Sequence, residues 1–267
     1  MGTSGPVRRS RRGPRTALAV LGACLLLLGL VGPDALAQTV RAGRLIVTVE
    51  GGFTPHKLPK QTPASITLSA RSTIRTSDGS HLPALQELTL KFDKHTGVHT
   101  KGLPTCDINK LRNTVTKQAK KICSDALIGT GQAGAEIEFP EQPPFFAKAP
   151  MLIFNGPPHN GHPVFIFHVY AFVPAPTTFV TTAQIGRSSG LYGTKVLIKI
   201  PTILAGQGSL SFAELSIHKT WMYKGKKQTL LYGTCPTGHF FVRGDLLFNN
   251  GFRMSGKVVR SCTPEAG

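Results

Sequence analysis

Short runs in which apolar and polar side chains alternate recur along almost the whole chain. That period of two confines it to strands with one buried face. Ile66-Thr67-Leu68-Ser69-Ala70 and Leu88-Thr89-Leu90-Lys91-Phe92 carry the pattern, as does the run 45–49. Further strand signals lie at 135–139, 151–154, 178–184, 195–200, 210–218, 229–232, 240–248 and 252–259. The run 164–172 is apolar on both faces, as a central strand would be. Turn chemistry separates these runs: Pro55, Pro59 and Pro63, then Asp78-Gly79, the stiff stretch 140–144 and the turn-rich stretch 155–161. Asn249-Asn250-Gly251 suits a tight hairpin between the last two strands. Leu210 and Phe212 are out of phase with Leu215 and Ile217, which predicts a bulge near Ala213. About a dozen short strands argue for a mainly β domain, either a sandwich or a barrel-like sheet, with one short helix.

The helix is the segment that breaks the pattern. Ile108, Leu111, Val115, Ala119 and Ile122 recur at steps of three and four, one apolar stripe over residues 107–122. Asp107 suits the positive first turn, and Lys117, Lys120 and Lys121 suit the negative last turn. Cys106 and Cys123 bracket it.

The first 37 residues read as a secretory signal peptide. Arg8, Arg9, Arg11, Arg12 and Arg15 form a cationic start, residues 16–31 an uncharged and mostly apolar run, and Ala35-Leu36-Ala37 a small-x-small cleavage site. The apolar run falls short of the roughly 20 residues of a membrane span, so cleavage after Ala37 is expected, although a retained anchor is the rival reading. Residues 38–267 then form a single exported domain, secreted or associated with the cell envelope, with 97–104 as its one plausible internal seam.

Cysteine use agrees with export. Once Cys24 leaves with the leader, Cys106, Cys123, Cys235 and Cys262 remain, an even number with no C-x-x-C pair. Two disulfides are therefore expected rather than a metal site. Four cysteines allow three connectivities. Loop closure favours Cys106–Cys123 with Cys235–Cys262, each bridge contributing about 3 kcal/mol. The helix opposes the first pairing. A straight helix over 107–122 would hold its ends roughly 20 Å apart at about 1.5 Å per residue, whereas bridged Cα atoms sit about 6 Å apart. Local pairing demands that the segment be short, or broken near Asn113-Thr114.

Charge is the second compositional fact. Of 31 basic and 13 acidic residues, five arginines and Asp34 belong to the leader, leaving 26 and 12 and a mature net charge of +14. Such an excess attracts polyanions. For an exported chain these are an anionic envelope polymer or a lipid surface, and no nucleic acid is expected. The bland alternative is solubility.

Two short motifs fail on context. Gly129-Thr130-Gly131-Gln132-Ala133-Gly134 fits the dinucleotide fingerprint, but the helix precedes the glycines and a strand follows, the reverse of what pyrophosphate binding needs. Gly186-Arg187-Ser188-Ser189-Gly190 fits the nucleophile elbow, yet it lies between two strands with no helix after it. No catalytic residue and no cofactor is assigned. His159, His162 and His168, with His95 and His99, could in principle ligate a metal. Gly97 and Pro163 interrupt the elements that would converge them, His168 reads as an interior residue, and no metal is expected. Trp221-Met222-Tyr223 beside Lys224-Gly225-Lys226-Lys227 forms either an aromatic and basic binding tip or an ordinary hairpin loop. The candidate binding residues are Lys117, Lys120, Lys121, Trp221, Tyr223, Lys224, Lys226 and Lys227.

Gly102-Leu103-Pro104-Thr105-Cys106, the stretch to Cys123, the following Gly129-Thr130-Gly131, and the late pairs Cys235-Pro236 and Ser261-Cys262 resemble an uncharacterised family of exported, β-rich proteins of high-GC actinobacteria. The resemblance runs from about Leu85 onward. It implies secretion and two disulfides, and it brings no activity, ligand or catalytic residue.

The expectation is an exported, non-enzymatic envelope or extracellular protein that binds an anionic surface. The alternative is a secreted hydrolase acting on a glycan or ester. The scarcity of carboxylates, 12 in the mature chain, counts against glycosidase chemistry.

Overall fold

The computed structural model describes residues 1–2, 37–140 and 142–265. The expected signal peptide therefore lies, from residue 3 to residue 36, outside the described residues. From Gln38 onward the chain is mainly β. The principal strands are β1 (Gln38–Ala42), β2 (Leu45–Thr54), β3 (Thr67–Thr76), β4 (Leu85–Asp93), β5 (Leu127–Ile137) and β6 (Phe145–His159). They continue with β7 (His162–Ala171), β8 (Thr177–Arg187), β9 (Tyr192–Lys199), β10 (Gly208–Ile217), β11 (His239–Phe248) and β12 (Arg253–Ser261). All twelve join one antiparallel sheet in the order β1-β2-β3-β10-β5-β6-β7-β8-β9-β4-β11-β12. Its first and last strands come back into contact, so the sheet curls into a nearly closed barrel rather than a sandwich.

Local chemistry explains the joints. Asn250 accepts the Phe252 N–H through its side chain (3.0 Å), and Gly251 takes a φ of 79°, completing the hairpin expected between β11 and β12. The expected bulge lies slightly earlier than Ala213, between Leu210 and Phe212, where the β10–β5 register shifts. The stretch 155–161 is less of a loop than expected. β6 continues through it to His159 and turns only at Asn160-Gly161, because Asn155 and Gly156 keep their ladder partners Phe165 and Val164.

The helical segment departs most from expectation. It is a 3-10 turn (Ile108–Lys110) and a separate seven-residue helix α1 (Thr116–Ile122). Asn113 sits between them in the left-handed region, φ 58°, and the Thr114 hydroxyl donates back to the Leu111 carbonyl at 2.7 Å. Both residues favour local turns over a continuous helix. The apolar stripe is split as a result: Leu111 and Ala119 are fully buried, while Val115 and Ile122 stand 41% and 44% exposed. The break brings Cys106 and Cys123 to a Cα separation of 5.6 Å, and they are bridged; Cys235 and Cys262, 6.1 Å apart, form the second disulfide. Two disulfides are compatible with an extracellular protein.

The segment from Cys106 to Ala126 packs on the outer face of β6 and β7, over Leu152, Phe154 and Ile166. One end of the barrel is filled by Phe53, Leu58, Ile66, Leu103, Leu230 and Phe240, gathered around Cys235 and Cys262. A three-stranded ribbon of Ala64–Ser65, Leu231–Gly233 and Thr96–Val98 lies over that plug.

Candidate functional site

In a closed antiparallel sheet every second side chain points inward, and partners across a ladder share a face. On β4 those residues are Leu88, Leu90 and Phe92; in register with them stand Ile198 and Val196 on β9, and Leu246, Gly244 and Val242 on β11. All are apolar or glycine, as a core would be, yet all are only partly buried. The exposure has a cause. These side chains line an open cavity of about 290 Å³ between the plug and the far wall. An eight-stranded barrel is just filled by its own side chains, and wider barrels enclose space. Here the β5–β6 wall fills its share with Met151 and Ile153, and Leu45, Val47, Ile74, Leu85, Phe248 and Met254 pack together at the end away from the plug. Between the two packed ends the walls of β2, β3, β4, β9, β11 and β12 leave the gap. Gly244, whose missing side chain no neighbour replaces, enlarges the gap. For scale, an engineered dry cavity of about 150 Å³ lined by Leu, Ile and Phe takes up benzene.

The barrel wall has a seam. β1 and β12 touch but form no ladder, and side chains close the gap. The Gln38 side-chain carbonyl accepts the Val259 N–H (3.0 Å) and an Arg260 N–H (3.1 Å). Arg260 also donates to the carbonyls of Gly51, Val49 (3.3 Å) and Val259 (2.9 Å). A Cβ on Gly256 would come within 2.7 Å of a Val40 methyl, so only glycine lets the two strands lie this close. Arg260 follows Met254, Gly256 and Val258 on the inward face and meets neutral acceptors rather than a carboxylate. Its burial pulls the guanidinium pKa below its ordinary value, and it stays charged at neutral pH.

The residues singled out from the sequence fall elsewhere. Lys117, Lys120 and Lys121 are exposed on α1. Trp221 and Tyr223 stand on one strand of the hairpin Thr220–Tyr223 and Lys226–Thr229, and they are packing residues rather than a free tip. Trp221 stacks on His99 at 5.9 Å and donates its indole N–H to the Lys101 carbonyl at 3.2 Å; Tyr223 covers Gly102. Lys224, Lys226 and Lys227 are exposed at the hairpin turn. The two lysine groups belong to different elements.

The G-x-G-x-x-G match is a stretch of β5. A Cβ on Gly131 would collide with the Glu214 carbonyl and lie 2.8 Å from Leu215 Cα, so glycine is there for a close strand approach. Ser188 and Ser189 sit in the β8–β9 turn, with the Ser188 N–H on the Gly193 carbonyl at 3.0 Å. Gly102-Leu103-Pro104-Thr105-Cys106 is a structural brace. Asn155 donates its side-chain amide to the Leu103 and Pro104 carbonyls (3.3 and 2.9 Å), and its own carbonyl accepts the Cys106 N–H at 2.8 Å.

The histidines are dispersed. His159 and His162 flank the β6–β7 turn, and His95 Nδ1 lies 2.8 Å from buried Asp93, whose other oxygen accepts the Phe241 N–H (3.2 Å). His168 is fully buried between β7 and the broken helical segment. Its Nε2 is 2.9 Å from the Thr114 carbonyl, which fixes Nε2 as the protonated nitrogen and leaves Nδ1 bare. Burial lowers its pKa from 6.5, so it is neutral at pH 7. Among the described residues no group of three or more His, Cys, Asp and Glu is placed to hold a metal ion.

No family model, no curated protein and no solved structure matches this chain.

The site that sequence reasoning missed is the cavity itself. One signal was present: in β12 the phase that carries Met254, Gly256 and Val258 next carries Arg260, a charge on a face that is otherwise apolar.

Proposed function

We propose that this chain is an exported, non-enzymatic binding protein that carries or sequesters an apolar molecule, such as a hydrocarbon chain, inside its barrel. The observation that carries the reading is the open cavity of about 290 Å³, lined by inward side chains that stay partly exposed. Leaving Leu, Phe and Val side chains unburied forfeits roughly 25 cal/mol per Å² of apolar surface, stabilisation that a filled barrel would keep. A ligand restores it. Export, and the cell envelope as the place of action, are supported by the N-terminal pattern, by the two disulfides and by the resemblance to secreted actinobacterial proteins. The ligand recognised inside is apolar, which moves the binding site from the exposed lysines to the interior.

The test uses the mature protein, residues 38–267, titrated into a fluorescent polyene fatty acid. Solvent extraction and mass spectrometry of protein purified from its native envelope run in parallel. Saturable fluorescence enhancement, competed by unlabelled long-chain lipid, is the expected result. No enhancement together with no co-purifying apolar molecule overturns the reading.

A further inference from the structure

The outer surface of β9, β4, β11 and β12 carries a charge pattern that folding does not require. Lys195 on β9, Lys91 on β4, Arg243 on β11 and Lys257 on β12 stand directly opposite one another in register. Three inter-strand steps of about 4.8 Å make a basic row about 14 Å long. Like charges directly opposite across a ladder are destabilising. Asp245 offsets part of the repulsion, accepting from Arg243 at 2.8 Å and lying 3.9 Å from Lys91. Toward the end where Leu82, Leu85, Phe248 and Met254 pack together, Lys199 and Arg253 add two more bases and Glu87 one acid. This wall thus presents six basic side chains against Glu87 and Asp245. The opposite wall is close to balanced: outward Arg41, Arg71, Arg75 and Lys148 face Glu50, Glu136 and Glu214.

A second feature lies at the same end. The turn between β7 and β8 exposes Phe172 and Val173, 69% and 56% accessible. β8 is the neighbour of β9, so this apolar tip opens the strand next to the basic wall, at the end where Lys199 and Arg253 lie. A soluble polyanion asks only for positive charge. A bilayer surface is met by positive charge together with an apolar side chain that can enter the headgroup region.

We infer that the outer face of β9, β4, β11 and β12, with the Phe172–Val173 tip, docks on a bilayer that bears anionic phospholipid headgroups. The inner side of the same wall lines the cavity, so docking would bring the cavity to the membrane from which an apolar ligand is drawn. The docking inference stands on charge register and exposure, and it survives if the cavity holds nothing.

The experiment is co-sedimentation of the mature protein with phosphatidylcholine vesicles, with and without about one-third phosphatidylglycerol. Each basic side chain near an anionic surface changes affinity about fivefold. Lys91→Gln with Lys195→Gln and Lys257→Gln is therefore expected to weaken binding to anionic vesicles about a hundredfold. Two control triples remove the same charge elsewhere: Lys117, Lys120 and Lys121 to Gln, and Lys224, Lys226 and Lys227 to Gln. These are expected to weaken binding only severalfold. Thermal stability of the wall triple is expected to stay close to wild type, because relief of repulsion offsets the loss of the Lys91–Asp245 pair and of the Lys257 ammonium over the Phe241 ring at 4.1 Å. Phe172→Ser with Val173→Ser is expected to reduce vesicle binding and to leave binding to a soluble polyanion such as heparin unchanged. Gly244→Phe, which fills the cavity, is expected to bind vesicles as wild type does, which separates failure of docking from failure of the cavity reading. Equal losses in all three triples, or heparin binding as tight as vesicle binding and indifferent to Phe172, would overturn the inference.

Discussion

Gly244 is the position at which an empty interior has the most distinctive consequence. It lies in mid-β11, inward-facing, opposite Leu90 on β4 and Gly256 on β12. A Cβ built there meets Leu90 Cδ2 at 3.6 Å and Leu246 Cδ1 at 3.9 Å, ordinary van der Waals contact with no backbone strain. In a filled β core, glycine to phenylalanine would be severely disruptive, costing 1–3 kcal/mol or more through overpacking. In this barrel the sign reverses. Burying a phenylalanine side chain fully is worth about 1.5–3 kcal/mol. With packing atoms on one side only, about half of that, roughly 1 kcal/mol, is a fair expectation. Removing glycine from a strand interior adds about 0.5–1 kcal/mol. Gly244→Phe is therefore expected to stabilise the protein by about 1.5–2 kcal/mol, a rise in Tm of roughly 3–8 °C for a domain of this size.

The same ring occupies the space an apolar ligand would use, so the variant is expected to bind the polyene fatty acid at least tenfold more weakly. Stability and binding should move in opposite directions in one protein. Calorimetry reads the first, a fluorescence titration the second, and far-ultraviolet circular dichroism confirms the barrel. A fall in Tm with the barrel intact refutes the open interior at Gly244. Unchanged binding in a stabilised variant places the probe outside the cavity.

Four further outcomes follow. Replacing Cys106 and Cys123 by serine opens a loop of 17 residues, and replacing Cys235 and Cys262 opens one of 27; chain entropy puts the losses at about 3 and 3.5 kcal/mol, measured by urea unfolding. His168 has a folded pKa lowered from 6.5 by burial, so the unfolded chain binds the extra proton and stability falls as pH drops from above 6.5 toward the folded value. The urea midpoint at pH 5 should lie below that at pH 7.5, with the gap narrowed in His168→Gln, whose amide keeps a donor for the Thr114 carbonyl. Gly131→Ala should destabilise by about 2 kcal/mol or more, because its Cβ meets strand backbone, whereas Gly244→Ala should not. Arg260→Met takes a donor from the partly buried carbonyls of Val49 and Gly51 on β2 and should cost about 1–2 kcal/mol, with hydrogen exchange accelerating first in β1 and β12.

Local chemistry was legible in the sequence where a few neighbouring residues decide it. Period-two runs marked the strands, Asn249-Asn250-Gly251 the hairpin, and the phase slip around Leu210 and Phe212 the bulge. The helix shows where such reading stops. Its stripe is correct at Leu111 and Ala119, but the conflict between a straight helix and a local disulfide could be resolved only by breaking the segment. Asn113 and Thr114 supply that break, through a left-handed residue and a hydroxyl that bonds backward.

The cavity was illegible for a different reason. Alternation tells which face of a strand turns from water, and it reads the same whether that face meets a packed wall or an open interior. Leu88, Leu90 and Phe92 look like core in the sequence because they are inward; they line a cavity because the sheet they belong to is too wide to fill. That width is a property of the whole pairing order. β4 lies between β9 and β11, strands that begin about a hundred residues and more beyond it in the chain, so no local window contains the information. What a window does contain is misfit: a glycine at 244 where a packed core would place a side chain, and Arg260 in the phase of Met254 and Val258. In a filled barrel each would be a defect. In this one Gly244 leaves room beside the wall, and the arginine closes the seam that the unpaired edges of β1 and β12 leave open.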